Sequence, residues 1–150
     1  MKRFILVPMM VFLLVMSPSQ VNAITMPCSM VLEPDDQNLI NAKGTALVYK
    51  VQLFPPSFAR TNISILAVHL PEPSNYGDFD SYEGFAHIPG EISWRFILYP
   101  TPEEISSTWA GRFDLITADM KNVEVQVRLS NTKTKKLGPI VLKSNIDQCK

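Results

Sequence analysis

The sequence is short of the residues from which most enzyme sites are assembled. Its 150 residues include two histidines, two cysteines and six glycines. It has no nucleophile-elbow motif, no His-rich metal-binding spacing and no glycine-rich phosphate loop. We therefore expect no catalytic activity, no metal and no cofactor, and keep a hydrolase that uses His69 or His87 as an open alternative.

An excess of one charge and long apolar runs are also lacking. Fourteen Lys and Arg residues balance fourteen Asp and Glu residues, so there is no electrostatic case for binding nucleic acid or anionic membranes. The apolar run from Phe4 to Met16 is shorter than the roughly 20 residues that a membrane-spanning helix needs. Because the carboxyl end is polar, we expect neither a lipid anchor nor a transmembrane segment in the mature chain.

Residues 1–23 have the features of a signal peptide. Lys2 and Arg3 form a positive start, the apolar run follows, and Val21 and Ala23 are the small residues that signal peptidase requires. An uncleaved membrane anchor is the alternative. We expect cleavage, one secreted domain over residues 24–150, and an extracellular location.

The two cysteines lie near the two ends of that domain. Cys28 is close to the new amino terminus, and Cys149 is next to the last residue. In an oxidising compartment this arrangement favours a disulfide that closes nearly the whole domain into one loop. Two free thiols, or one thiol exchanged with a partner chain, are the alternative.

Segments of alternating polarity recur along the domain, separated by Pro, Gly, Asn and Asp, which is typical of antiparallel β-structure. Val123–Leu129 alternates without interruption, and Thr45–Leu53 places Leu47, Tyr49 and Val51 on one face. The pattern predicts a single antiparallel β-sandwich, immunoglobulin-like or reeler-like, with about seven strands. Further strands are predicted over Cys28–Leu32, Asn62–Leu70, Glu91–Tyr99 and Leu137–Lys143.

Two local signals refine this pattern. Pro139 lies within the last predicted strand and cannot donate to a ladder, so it belongs at an edge or a bulge. Thr101 and Pro102, followed by two glutamates, are typical of a helix start and predict a single helical turn within residues 102–109.

The stretch from Pro71 to Gly90 is rich in turn-forming residues and predicts a long loop, with brief strand pairing of Phe85–Ile88 as an open alternative. Four aromatic residues recur through it at three-residue spacing, and aromatic side chains are enriched at binding surfaces. They are Tyr76, Phe79, Tyr82 and Phe85. We take them as the candidate site for a protein partner; the alternative is that the rings fold back as a lid over one end of the sandwich.

Three other features carry predictions of their own. Asn62 begins the one N-glycosylation sequon and predicts a glycan if the strand start is exposed. Three carboxylates in six residues have the oxygen ligands that calcium prefers, although acidic loops are usually only solvated. They are Asp78, Asp80 and Glu83. Three lysines lie on a predicted hairpin loop, where they meet an acidic partner or only keep the loop soluble: Lys133, Lys135 and Lys136.

Several of these segments together resemble one known family. They are Pro27-Cys28-Ser29, Asn62–Val68, Ser107-Thr108-Trp109-Ala110, Val123–Val127 and Leu137–Leu142. The pattern resembles the placenta-expressed transcript 1 proteins, which are similar to reeler-type sandwich domains. The resemblance implies a secreted or surface protein of epithelia or the reproductive tract without enzymatic activity.

The sequence thus predicts a secreted, non-enzymatic ligand or adhesion-type module that contacts an extracellular or cell-surface protein. A carrier that encloses a small apolar ligand is the alternative, favoured by the many aliphatic and Met side chains.

Overall fold

The computed structural model describes residues 26–52, 58–102 and 106–149, and eight strands account for most of these residues. The strands are β1 Cys28–Pro34, β2 Lys43–Gln52, β3 Ala59–Val68, β4 Ser81–Ile88, β5 Ile92–Pro100, β6 Trp109–Ile116, β7 Glu124–Ser130 and β8 Leu137–Asn145. Two short 3-10 helices, Pro73–Tyr76 and Ile146–Gln148, precede β4 and follow β8. The predicted all-β, antiparallel class is confirmed.

The strands form a closed barrel, so the predicted sandwich is wrong. Around the barrel the order is β1-β2-β3-β6-β5-β4-β7-β8, and β8 pairs back with β1. Two of these contacts are short seams, with two residue pairs each between β5 and β6 and between β1 and β8. A sandwich and a barrel share the same alternation within strands, and only the pairing at such seams distinguishes them.

The disulfide expected between Cys28 and Cys149 is present and lies at the β1–β8 seam. It joins residues 121 positions apart, with their Cα atoms separated by 5.3 Å. At the other end of β1, Glu33 pairs with Lys143 of β8. The seam is therefore held by the strand ladder at one end and by a covalent bond at the other.

Alternate side chains of the strands fill the barrel interior. The apolar face predicted for Val123–Leu129 is buried, which confirms that prediction. On β5, Trp94, Phe96 and Leu98 also point inward and are buried. The ring of Phe96 lies over Gly84 of β4, where a Cβ atom would come within 2.3 Å of the ring.

Strand β4 occupies part of the stretch predicted as a long loop: the brief pairing left open for Phe85–Ile88 is present, and the loop prediction is wrong over Ser81–Gly84. The strand pairs with β5 on one side and with β7 on the other. Gly84, which contributed to the loop prediction, is needed because the Phe96 ring occupies the space of a side chain. The sequence alone does not distinguish a glycine required by packing from a glycine required by a turn.

Pro139 was predicted to lie at a sheet edge or at a β-bulge, and the bulge is confirmed. The pairing of β7 with β8 shifts on either side of Arg128, which opposes Ile140. The predicted helical turn is not found in the described part of its range, since residues 106–108 are not helical and Trp109 begins β6. Its residues 103–105 lie outside the described residues, as does the predicted signal peptide, residues 1–23. Among the residues that the structure describes, no helix combines the length and apolarity needed to cross a membrane.

Candidate binding surface

The four aromatic residues predicted as a partner site do not form one surface. Tyr76 is exposed at the end of the first 3-10 helix. Phe79 is partly buried under Lys136, whose Nζ lies 5.7 Å from the ring centre. Because side chains alternate along β4, Tyr82 points into the barrel and Phe85 points outward.

Tyr82 is a core residue. Its side chain is fully buried, its hydroxyl donates a hydrogen bond to the carbonyl of Pro71, and its ring meets Trp109 edge-on at 5.0 Å. Burial raises the pKa of its hydroxyl. The site prediction is therefore wrong for Tyr82, which anchors the segment before β4 to the barrel.

Asn62 is placed where a glycan has no access. It is 1 % exposed on β3, and its Oδ1 accepts a hydrogen bond from the Ser64 hydroxyl at 2.7 Å. The condition set by the sequence, an exposed strand start, is not met. Glycosylation of Asn62 is therefore not part of the function proposed below.

Neither histidine belongs to a metal-binding cluster of the described residues. His69 is exposed, and its Nδ1 lies 3.4 Å from the Ser106 hydroxyl. The ring of His87 lies beside Phe85 on β4. No group of three or more His, Cys, Asp or Glu residues capable of holding a metal occurs within the described ranges.

Two of the three carboxylates considered for calcium, Asp80 and Glu83, accept hydrogen bonds from the protein itself. Asp80 accepts bonds from the backbone N–H and the hydroxyl of Thr132, at 2.8 and 2.7 Å. The hydroxyl bond is the largest cause of its lowered pKa. Glu83 is bonded to Arg95 and Ser130. With these oxygens engaged, a calcium site is not supported.

On one side of the barrel, outward side chains of β4, β5 and β7 contact and cover one another. We call this side the covered face. Its members are Glu83, Phe85, Arg95, Gln126, Arg128 and Ser130. Arg95 donates two hydrogen bonds to Glu83, Nε to Oε2 at 2.8 Å and Nη2 to Oε1 at 3.1 Å. Burial acts to raise the pKa of Glu83, but the bonds from Arg95 and Ser130 outweigh it and the pKa is lowered.

Arg128 completes the covered face. Its Nε and Nη2 donate to the carbonyl of Gly138 at 2.9 and 2.8 Å, and its guanidinium lies 5.5 Å from the centre of the Phe85 ring. Gln126, below it, is buried. The polar groups of this face are therefore largely satisfied within the chain, which leaves few groups available to a ligand.

On the other side of the barrel, outward side chains of β1, β2, β3, β5 and β6 stay exposed to water. We call this side the open face. Its members are Val31, Thr45, Leu47, Leu66, Tyr99 and Ala110. Five of them form one row across five strands, because Val31 pairs with Thr45, Thr45 with Leu66, and Ala110 with both Leu66 and Tyr99. The larger side chains remain in water: Val31 is 56 %, Leu47 42 %, Leu66 44 % and Tyr99 67 % exposed.

The open face contains a groove of about 430 Å³. Its lining is apolar apart from two hydroxyls and one charge: Thr45, Leu47, Ser64, Ile65, Leu66, Ala110, Gly111 and Arg112. The Arg112 side chain is 71 % exposed, and its Nε lies 3.9 Å from the Asp114 carboxylate. An apolar groove with one weakly paired guanidinium at its rim has the composition of a protein-binding surface.

The sequence signal for this face was the alternation of β2. Leu47, Tyr49 and Val51 share one face as predicted, but that face points outward. Gly44 and Ala46 point inward instead, where small residues fit against the bulky side chains of other strands; a Cβ atom at Gly44 would lie 3.0 Å from Leu142. The pattern identified the two faces correctly but did not tell which one was outside.

Comparison with known proteins corrects the resemblance drawn from the sequence. Residues 24–150 match the model of the family described as "SPbeta prophage-derived uncharacterized protein YoqH". The chain is 68% identical over 149 residues to the protein of that description from Bacillus subtilis (strain 168), and the alignment covers 99% of each chain. No solved structure matches the chain.

Neither match points to the placenta-expressed transcript 1 or reeler-type proteins, so that resemblance is wrong. The segments that carried it are alternating strands and a tryptophan, which many antiparallel β-proteins share. The chain belongs to the family of the SPbeta prophage-derived YoqH proteins.

Proposed function

We propose that this chain is an exported, non-enzymatic protein that acts by contact with another protein through its open face. The observation that carries the proposal is the row across five strands, in which every member except Thr45 is apolar and in which Val31, Leu66 and Tyr99 are exposed. Contiguous apolar surface of this kind is unfavourable in water, and its usual role is to be buried by a partner.

Export is supported by the residues at both ends of the domain. The first 23 residues have the composition of a signal peptide. The Cys28–Cys149 bond is of the kind that persists in oxidising compartments outside the cytosol. Both features fit a protein that meets its partner outside the cell that makes it.

The carrier alternative has less support. A small apolar ligand requires an enclosed cavity, whereas several large side chains occupy the described interior of this barrel. Trp94, Phe96 and Tyr82 all point inward and are buried. The groove of the open face lies on the outside, where a ligand would stay largely in water.

The proposal is tested by binding of the fluorescently labelled mature protein, residues 24–150, to intact Bacillus subtilis cells. That organism is the source of the similar protein. We expect saturable binding that falls at least about tenfold in affinity when Leu66 and Tyr99 are both replaced by Ser, because two apolar anchors are lost.

The matched control replaces two other exposed apolar residues, Ile40→Ser and Ile92→Ser, which lie outside the open face. This variant is expected to bind like the wild type. Absence of saturable binding by the wild type, or an equal loss in both double variants, would contradict the proposal.

A further inference from the structure

Arg112 is the one charged residue among those that line the groove of the open face. Its partner within the chain is Asp114, two positions along β6, at a distance of 3.9 Å that lies at the limit of an ion pair. Exposed pairs of this kind contribute little, and the guanidinium remains mostly in water. By contrast, Arg95 and Arg128 on the covered face are each fixed by several hydrogen bonds.

We infer that the occupant of this groove is a segment of a partner protein that presents an apolar side chain with a carboxylate beside it. The inference rests on the proposed function and specifies the chemistry of the partner. The apolar side chain would lie between Leu47 and Leu66, and the carboxylate would pair with Arg112. A guanidinium matches a carboxylate with two parallel hydrogen bonds, a geometry that the contact with Asp114 does not supply.

Charge complementarity favours this occupant over a second copy of the chain. A symmetric dimer uses the same patch on both subunits, so it would bring each Arg112 together with its neighbouring Asp114 and would add no further carboxylate. A carboxylate-bearing partner adds one.

A lipid surface is also a poorer match. Attraction to anionic lipids requires a cluster of basic residues, whereas the groove lining has a single cation. A protein segment with an apolar side chain and a carboxylate therefore matches both the apolar lining and the one charge of the groove.

The test uses three synthetic peptides of alternating Leu and Ser that differ at one central position, which is Glu, Gln or Lys. Fluorescence anisotropy gives the dissociation constant of each peptide from the mature protein. We expect the Glu peptide to bind about tenfold more tightly than the Gln peptide, because a hydrogen bond to a charged group has about that effect on affinity. The Lys peptide is expected to bind most weakly.

An Arg112→Glu variant is expected to reverse this order and favour the Lys peptide. Lys121→Glu is the matched control, because Lys121 is similarly exposed but does not line the groove. It is expected to leave the order unchanged. Circular dichroism of each variant establishes that the barrel is retained.

The inference and the proposed function fail in different ways. If cell binding is lost in the Leu66→Ser, Tyr99→Ser variant but is unaffected by Arg112→Glu, the acidic partner is excluded and the open face keeps its role. If wild type shows no preference among the peptides, the inference is overturned. It is equally overturned if sedimentation shows a dimer that Leu66→Ser dissociates, or if the protein binds vesicles of anionic lipid through the same face.

Discussion

On the covered face, Arg95 donates hydrogen bonds to Glu83 and to the carbonyl of Lys135, and Arg128 donates to the carbonyl of Gly138. On the open face, Val31, Leu66 and Tyr99 point outward with no such cover, and about half or more of their surface is in water. Both faces belong to one barrel, and both follow the same alternation along their strands. The periodicity therefore does not distinguish them, and the difference lies in which residues occupy the outward positions.

This difference separates stability from recognition. Polar groups that are satisfied within the chain stabilise the fold, and removing one leaves its partner buried without a bond. Exposed apolar side chains gain nothing in the isolated protein and gain free energy only when a partner buries them. We therefore expect substitutions on the covered face to reduce stability and substitutions on the open face to reduce binding.

The largest expected effect comes from breaking the covalent link between the two sides. Cys28 begins β1 on the open side, and Cys149 follows β8 on the other, 121 residues later. In the chain-entropy model, a disulfide that closes a loop of this length restricts the unfolded chain and so raises the free energy of unfolding by about 4 to 5 kcal/mol. We expect the Cys28→Ser, Cys149→Ser double variant to lose that amount in urea unfolding. A loss below about 1 kcal/mol would show that the ladder alone holds the seam.

The next largest effect is expected for Glu83→Ala on the covered face. The change leaves Arg95 and the buried Ser130 hydroxyl without their carboxylate partner. Breaking a buried ion pair costs about 3 to 5 kcal/mol, and we expect about 2 to 3 here because Arg95 stays partly in water.

The matched control for Glu83→Ala is Glu33→Ala. Glu33 also pairs with a cation, Lys43, but both side chains are about half exposed. The expected loss is below about 1 kcal/mol. Equal losses for the two variants in urea unfolding would mean that the cover over Glu83 has no energetic consequence.

The pH dependence of stability gives a smaller, signed effect. The pKa of Glu83 in the folded protein lies below its ordinary value near 4.5. Such a group stabilises the fold fully above the unfolded pKa, and this stabilisation is lost as the pH falls through the folded pKa. We expect the free energy of unfolding of the wild type to exceed that of Glu83→Gln by about 1 to 2 kcal/mol at neutral pH. We expect this difference to shrink below pH 4.5.

Asp80 is a second carboxylate that titrates in the same pH range, and its effect on stability must be separated from that of Glu83. The pKa of Asp80 is also lowered, chiefly by the hydrogen bond from the Thr132 hydroxyl. An Asp80→Asn variant therefore serves as the background in which Glu83→Gln is compared. A difference that stays constant from pH 7 to pH 3 in this background would contradict the role of Glu83.

The sequence predicted those parts of the fold that depend on local pattern. The burial of Val123–Leu129, the bulge at Pro139 and the antiparallel class follow from alternation and from the missing proline donor. The first half of β4, Ser81–Gly84, was missed because Gly84 is explained only by the Phe96 ring, which lies on another strand. Contacts between distant segments leave no local signal.

The candidate site was harder to predict for the same reason. Aromatic spacing grouped Tyr82 with Phe85, yet the alternation of β4 sends them to opposite sides of the barrel wall. The exposed row left no local signal because its members come from five strands, and only the strand register brings Val31, Leu66 and Tyr99 into line.

The smallest expected effect on stability is that of Leu66→Ala on the open face. Leu66 is 44 % exposed, so the substitution leaves no cavity, and we expect a change within about 0.5 kcal/mol. Leu129→Ala is the matched control, since Leu129 is fully buried, and its expected loss is about 2 to 5 kcal/mol. Both are measured by urea unfolding. A loss of about 2 kcal/mol or more for Leu66→Ala would show that this side chain is held by packing within the chain, and the open face would no longer differ from the covered one.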